Sequence, residues 1–219
     1  MMALRKKPSF RSLFLKAGCP CSYANVSEDA LKENRKMITQ TGEMLLPKKR
    51  SKYQDWIYET KSCCNGCSND CIYCFAKGAA VTKKRMKLHE WKEGKVRPHD
   101  VNKEYKLFDN PIMFPGTHDI TKDNFDACFT VLKKLLAAKN RVLIVSKPRL
   151  DLITKICDDL IEHKNNMLFR FIIGSTNNEI LSFWEPNAPL YEERKQCLEY
   201  AFNVGYWTSV SVEPMLDLD

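Results

Sequence analysis

Five of the chain's ten cysteines fall within twelve residues, in the run Cys63-Cys64-Asn-Gly-Cys67-Ser-Asn-Asp-Cys71-Ile-Tyr-Cys74. Thiols packed this densely in a chain without a secretory leader speak for metal rather than disulfides. Two metals compete for them. Cys64/Cys67 and Cys71/Cys74 are each C-x-x-C, the unit of a zinc knuckle, but ribbons and fingers separate such pairs by about a dozen residues or more, so that two knuckles can close on the ion. Only three residues intervene here. The alternative is an iron–sulfur cluster held by thiolates from one short loop. Cys128, Cys157 and Cys197 fall singly in helix-like apolar patterns and read as small buried hydrophobes. Cys19 and Cys21 form a Cys-Pro-Cys with no further thiol nearby and read as incidental.

The spacing Cys67-x3-Cys71-x2-Cys74, with Tyr73 just before the last cysteine, resembles the signature of the radical S-adenosylmethionine (SAM) enzymes. The resemblance implies a [4Fe–4S] cluster on Cys67, Cys71 and Cys74, with one iron left open to chelate the amino and carboxylate groups of SAM. In that family an electron from the cluster cleaves the sulfonium, giving methionine and a 5′-deoxyadenosyl radical that takes hydrogen from substrate. The cofactors carry the chemistry and the protein orients them. Tyr73 would then pack beside the cluster or the adenine, with ordinary core packing as the other reading. Cys63 and Cys64 fit the three-ligand spacing less well.

Such a site needs elements to hold it, and the rest of the chain reads as alternating strands and helices. Residues 52–62 read as a strand feeding the cysteine loop and 72–87 as the following helix. Residues 112–115, 141–145, 168–173 and 207–212 read as further strands, the second of them a β-branched run expected of a buried parallel strand. Asp123 or Asn124 can cap a helix reaching Lys139, with Phe125, Cys128, Leu132, Leu135 and Leu136 on one face. Residues 150–164 repeat that period through Ile153, Ile156, Cys157, Leu160 and Ile161, and Tyr191–Val204 reads as another helix. The pattern predicts an α/β fold of βαβ units around a parallel sheet. A partial (β/α) radical SAM barrel has that architecture.

The blocks after each strand narrow the resemblance to the spore photoproduct lyase-like branch. They are Gly66-Cys-Ser-Asn-Asp-Cys-Ile-Tyr-Cys-Phe-Ala76, Thr117-His118-Asp119, Val145-Ser-Lys147, Phe169-Arg-Phe171, Phe183-Trp-Glu-Pro186 with Arg194, and Val212-Glu-Pro214. Together they span about residues 55–216. A cysteine that serves hydrogen transfer in that branch has no counterpart in Phe114-Pro-Gly-Thr-His118, which sets thymine-dimer reversal apart from the expectation. The family barrel also has a sixth strand, whereas this chain stops at Asp219, so the expectation is a truncated barrel or one completed by a partner chain.

Sites in parallel α/β folds lie at the C-terminal ends of strands. Lys147 there either meets the SAM carboxylate, as the resemblance implies, or reaches solvent past Pro148. Ser175 and Thr176 either hydrogen-bond the methionyl group or the ribose, or are turn residues, and Glu213 is a candidate for the ribose hydroxyls. His118 and Asp119 are the catalytic candidates: His118 to protonate or position substrate near neutral pH, Asp119 beside it unless it merely caps the next helix. Glu185 and Arg194 read as a structural pair, and Asn69 and Asp70 as residues that shape turns.

Composition supplies the partner class. The chain carries 35 Lys and Arg against 27 Asp and Glu, a net +8. The excess sits in the first 52 residues, with a second basic stretch at 83–97, and Phe10, Phe14, Tyr53 and Trp91 lie among these charges. That predicts a basic N-terminal extension (1–52) ahead of a barrel domain (53–219), and a nucleic acid or nucleotide as substrate; a solvated tail is the plainer reading. The enzyme would need a reductase or flavodoxin-type electron donor. With no run near ~18 apolar residues and no secretory leader, the chain reads as soluble and cytoplasmic, with no membrane partner. The competing readings are a metal-stabilised basic nucleic-acid-binding module and a radical-SAM-like scaffold without catalysis.

Overall fold

Val142-Leu-Ile-Val145 has no polar face, so as a strand it must be covered on both sides. In the computed structural model, which describes residues 59–217, it is the middle of a five-stranded sheet. These residues fall in the second of two units, Trp56–Asp219. The expected N-terminal extension, Cys19, Cys21 and the start of the first expected strand lie outside the described residues.

The sheet is formed by β1 (Glu59–Thr60), β4 (Ile112–Phe114), β5 (Val142–Ser146), β6 (Met167–Ile172) and β7 (Trp207–Ser211). They pair in that order and every pairing is parallel. Each new strand therefore adds to the same edge, and each connection must cross over one face. The α/β class with a parallel sheet is thus as expected. A two-stranded antiparallel ribbon, β2 (Cys64–Asn65) with β3 (Lys95–Val96), stands apart from it.

The crossovers are helices. α1 (Phe75–Thr82) follows the cysteine loop and α2 (Pro98–Asn102) follows β3. α3 (Phe125–Ala137) and α4 (Leu150–Asp159) precede β5 and β6, and α5 (Asn178–Trp184) and α6 (Tyr191–Val204) precede β7. α3 buries Phe125, Cys128, Val131, Leu132, Leu135 and Leu136, and α4 buries Leu152, Ile153, Ile156 and Cys157. That three-and-four spacing is one apolar stripe per helix.

The sheet's two faces differ. Along β6, Met167, Phe169 and Phe171 are buried and join the helix-side core, while Leu168, Arg170 and Ile172 between them are half-buried on the other face. Ile112 and Phe114 of β4 and Ile144 of β5 join the same core, leaving Met113 and Val145 on the opposite face. Alternation in a strand forces this division. One face therefore carries the helices and the other is left for a site.

Two expected helices end early. The one anticipated at 72–87 begins at Phe75, where Cys74 caps it by accepting the Lys77 N–H on its sulfur at 3.4 Å, and stops at Thr82 before the left-handed Lys84. The one at 150–164 stops at Asp159 and continues as a 3-10 turn, Ile161–Asn166, with Ile161 exposed.

Candidate functional site

The loops that follow β1, β4, β5 and β7, with the end of β6, converge on one cavity of about 430 Å³. After β1 come Cys67, Cys71, Tyr73 and Cys74; after β4, Pro115 to Asp119; after β5, Lys147; after β7, Glu213 and Pro214. Met113, Val145 and Ile172, the side chains of β4, β5 and β6 that face away from the helices, form its apolar wall. The volume suits a small molecule. Trp91, Phe75 and Ala76 also line it.

The cysteine loop is held in place by a contact only glycine permits. Gly66 adopts φ +87°, and a Cβ there would lie 2.2 Å from the Trp91 carbonyl oxygen. That same oxygen accepts the Cys67 N–H at 2.8 Å. Asp70, also left-handed at φ 47°, accepts the Lys77 ammonium on its carboxylate at 2.9 Å. The Ile72 N–H reaches the Trp184 carbonyl at 2.9 Å, tying the loop to α5. Cys67 and Cys71 are buried and Cys74 is half-buried. Burial, reinforced for Cys67 by the Asp119 carboxylate, pushes the Cys67 thiol up to about 12. Burial does the same to Cys71, against the pull of Lys147.

Asp119 is the hub of the wall opposite. Its backbone N–H donates to the Cys67 sulfur at 3.4 Å. Its carboxylate accepts Asn69 Nδ2 at 2.9 Å, Ser146 Oγ at 3.1 Å and the Lys147 N–H at 2.9 Å, and faces the Lys147 ammonium at 3.6 Å. Asp119 and Lys147 are both buried. Burial opposes both charges, yet each holds the other: Asp119 lies below the usual carboxylate range and Lys147 above the usual lysine range. Lys147 therefore does not reach solvent; it stands in the cavity as a fixed cation, 5.7 Å from the Tyr73 ring centre. Asp119 does not cap α3, and Asn124 at the cap position turns its amide to the Asp119 carbonyl (3.0 Å) and the Thr121 N–H (2.9 Å).

His118 has both ring nitrogens occupied by backbone. The amides of Cys63 and Cys64 donate to Nε2 at 3.1 and 3.2 Å, and Nδ1 lies 3.1 Å from the Asp119 carbonyl. Nε2 as acceptor assigns the proton to Nδ1. His118 and Asp119 both line the cavity, with their polar atoms hydrogen-bonded to neighbouring groups.

Tyr73 donates its hydroxyl to Glu185, and Glu185 pairs with Arg194, both side chains fully buried. Arg194 also donates to the carbonyls of Pro189 (2.7 Å) and Ile172 (3.1 Å), so the expected structural pair braces β6 against α6 and, through Tyr73, the cysteine loop. Glu213 lines the cavity but is exposed. Ser175 and Thr176 do not line it: the Ser175 hydroxyl donates to Asp217 and accepts the Asn177 N–H at 2.8 Å, and Thr176 points to solvent. Both behave as turn residues.

Sequence reasoning did not single out Met113, Val145, Ile172 or Asn69 for the site. The first three carry only the alternation signal of their strands, and Asn69 was assigned a turn role when its amide bridges to Asp119 fifty residues away.

The described residues contain one set of three His, Cys, Asp or Glu donors within 4.8 Å of one another: Cys63, Cys64 and His118. Cys67, Cys71 and Cys74 are not such a set, so they are spread more widely than one ion gathers its ligands. No protein-family model, curated protein or solved structure matches the chain. No helix among the described residues is long and apolar enough to cross a membrane.

Proposed function

We propose that this chain is a radical SAM enzyme acting on a nucleic acid or nucleotide. The observation that carries this reading is the convergence of Cys67, Cys71 and Cys74 with the buried Lys147 in one cavity at the C-terminal ends of five parallel strands. The donor set fits the cofactors. Three thiols too widely spread for one ion suit a multi-iron cluster, in which each cysteine binds its own iron. Lys147 offers a fixed positive charge for a carboxylate, and Trp91, on the cavity wall, has a buried indole N–H without a partner. When bound, the cluster and SAM supply a 5′-deoxyadenosyl radical for hydrogen abstraction from substrate.

The protein's own part is binding, orientation and exclusion of water. Asp119 fixes both sides of the site at once, meeting Cys67 through its backbone and Lys147 through its carboxylate. The Tyr73–Glu185–Arg194 chain fixes the far end of the cysteine loop. Met113, Val145 and Ile172 keep the floor apolar, which protects a reactive species from water. Glu213 at the rim is placed to accept from hydroxyl groups.

The substrate class rests on charge. Lys83, Lys84, Arg85, Lys87 and Lys92 are exposed between α1 and β3, Lys95 is exposed at the start of β3, and Phe75, 87% exposed, stands at the cavity where α1 begins. Cations beside an exposed ring suit phosphates beside a base. The electron comes from a reductase or flavodoxin-type donor and the setting is the cytoplasm.

The test is anaerobic reconstitution with iron and sulfide, reduction with dithionite, addition of SAM and assay for 5′-deoxyadenosine, with Cys71→Ala as control. Cysteine-dependent 5′-deoxyadenosine supports the reading. A protein that takes zinc on these cysteines and forms no cluster refutes it in favour of a metal-stabilised binding module.

A further inference from the structure

Behind the cavity wall lies a second group of soft donors. The Cys63 sulfur is 3.9 Å from the Cys64 sulfur, 3.6 Å from the Cys128 sulfur and 3.9 Å from His118 Nε2. All four residues are buried, and neither Cys63, Cys64 nor Cys128 lines the cavity. They come from three places in the fold: the start of the cysteine loop, the loop after β4, and the first turns of α3. The function proposed above uses none of the three thiols.

Cys63, Cys64 and His118 lie close enough together to bind one ion, and Cys128, 3.6 Å from Cys63 but outside that set, reaches it by a turn of its side chain. Zinc–sulfur bonds near 2.3 Å and zinc–nitrogen bonds near 2.0–2.1 Å in a tetrahedron set sulfurs about 3.8 Å apart, and sulfur and nitrogen about 3.6 Å apart. The three edges that meet at Cys63 fall within about 0.3 Å of those values. We infer that Cys63, Cys64 and His118, with Cys128 turning in as the fourth ligand, form a structural Zn²⁺ site, separate from Cys67, Cys71 and Cys74.

One further observation agrees. A zinc-bound histidine typically donates its other ring N–H to a carbonyl or carboxylate, which fixes the tautomer. His118 already has that arrangement at one nitrogen, with Nδ1 at the Asp119 carbonyl, and its Nε2 lies 3.9 Å from the Cys63 sulfur. Zn²⁺ displaces the protons of the three thiols. The Cys63 and Cys64 amides, which share the Nε2 lone pair, must then turn to the thiolates beside them. Three soft sulfurs and one imidazole favour zinc over the hard oxygen-seeking cations. The ion would clamp the cysteine loop to the His118 loop and to α3, leaving no open position for substrate.

The test uses the full chain with Cys67, Cys71 and Cys74 changed to Ser, stripped with chelator under reducing conditions and titrated with Co²⁺ alone. The expected result is one equivalent of tetrahedral cobalt with sulfur-to-cobalt charge-transfer absorption. Cys128→Ser on that background is expected to remove about a third of the charge-transfer intensity and to weaken Zn²⁺ binding at least about tenfold. X-ray absorption of the zinc form should show three sulfurs and one nitrogen. Each variant is checked for folding by circular dichroism. If the triple variant fails that check, the same Cys128→Ser difference is read in the otherwise unaltered chain. Absence of the charge-transfer band, a band indifferent to Cys128→Ser, or a shell dominated by oxygen would each overturn the inference.

Discussion

Asp119→Asn removes one charge from a buried pair and leaves its shape. The new amide oxygen can still accept Ser146 Oγ and the Lys147 N–H, which now reach the carboxylate at 3.1 and 2.9 Å. Asn69 donates Nδ2 to Asp119 while its own Oδ1 is buried without a partner, so a turn of that amide lets it accept from the substituted side chain instead. The neutral hydrogen bonds survive, and what remains is the Lys147 ammonium, 6% exposed, stranded without its counter-charge. Breaking a buried pair in this way costs about 3–5 kcal/mol. At 2–4 °C per kcal/mol for a chain of this size, the melting temperature falls by roughly 6–20 °C. Lys147→Met strands the carboxylate, which keeps three donors, and costs less. The double variant removes both charges and is expected to be more stable than Asp119→Asn alone, because a pair replaced by apolar volume is often neutral. Urea unfolding of the metal-free protein and the three variants gives the coupling directly, expected at about 2–3 kcal/mol. Additivity within roughly 0.5 kcal/mol would refute the claim that these two groups hold each other.

Gly66→Ala and Gly78→Ala should part company. The first forces a side chain into a left-handed backbone and against the Trp91 carbonyl, costing at least about 1–2 kcal/mol, whereas a Cβ at Gly78, inside α1, meets nothing within 4 Å and should be neutral or stabilising by about 0.5–1 kcal/mol; equal urea midpoints would contradict the structure. Asp100 lies below the usual carboxylate range despite the opposing effect of partial burial, because Lys103 and Arg97 flank it. A depressed carboxylate contributes stability above its unfolded value and loses it as pH falls through the folded one. Asp100→Asn should therefore cost up to about 1 kcal/mol at pH 7 and nothing once the medium is below both values, read as the closing gap between two denaturation curves from pH 7 to pH 2.

Much of this could be read from residue order because it is local. Alternation and period announce β5, α3, α4 and α6, and the cysteine spacing announces the loop at the head of the site. The Glu185–Arg194 pair was also legible, since two opposite charges nine residues apart flank a turn into one helix. What escaped is set by partners far along the chain. Cys128 looks like any core cysteine of an amphipathic helix, yet its sulfur meets Cys63, 65 residues away. Ser175 follows the expected strand, but the neighbouring Asn177 and Asp217 take its hydroxyl away from the cavity. The helix after the cysteines was expected to start three residues too soon because nothing in Ile72-Tyr73 announces that the Cys74 sulfur will serve as its cap.

The cavity takes one wall from each of five strands, and this sets a timetable. Cys74 is synthesised about 140 residues before Glu213 and Pro214, which line the last side. At about 5–20 residues per second, the thiols wait roughly 7–28 s on the ribosome before their enclosure can close. Throughout that interval they are open to oxygen and to stray metal. A site assembled from segments this far apart is therefore closed only late in synthesis, and a chain interrupted between Cys74 and β7 would carry Cys67, Cys71 and Cys74 without the last side of their enclosure.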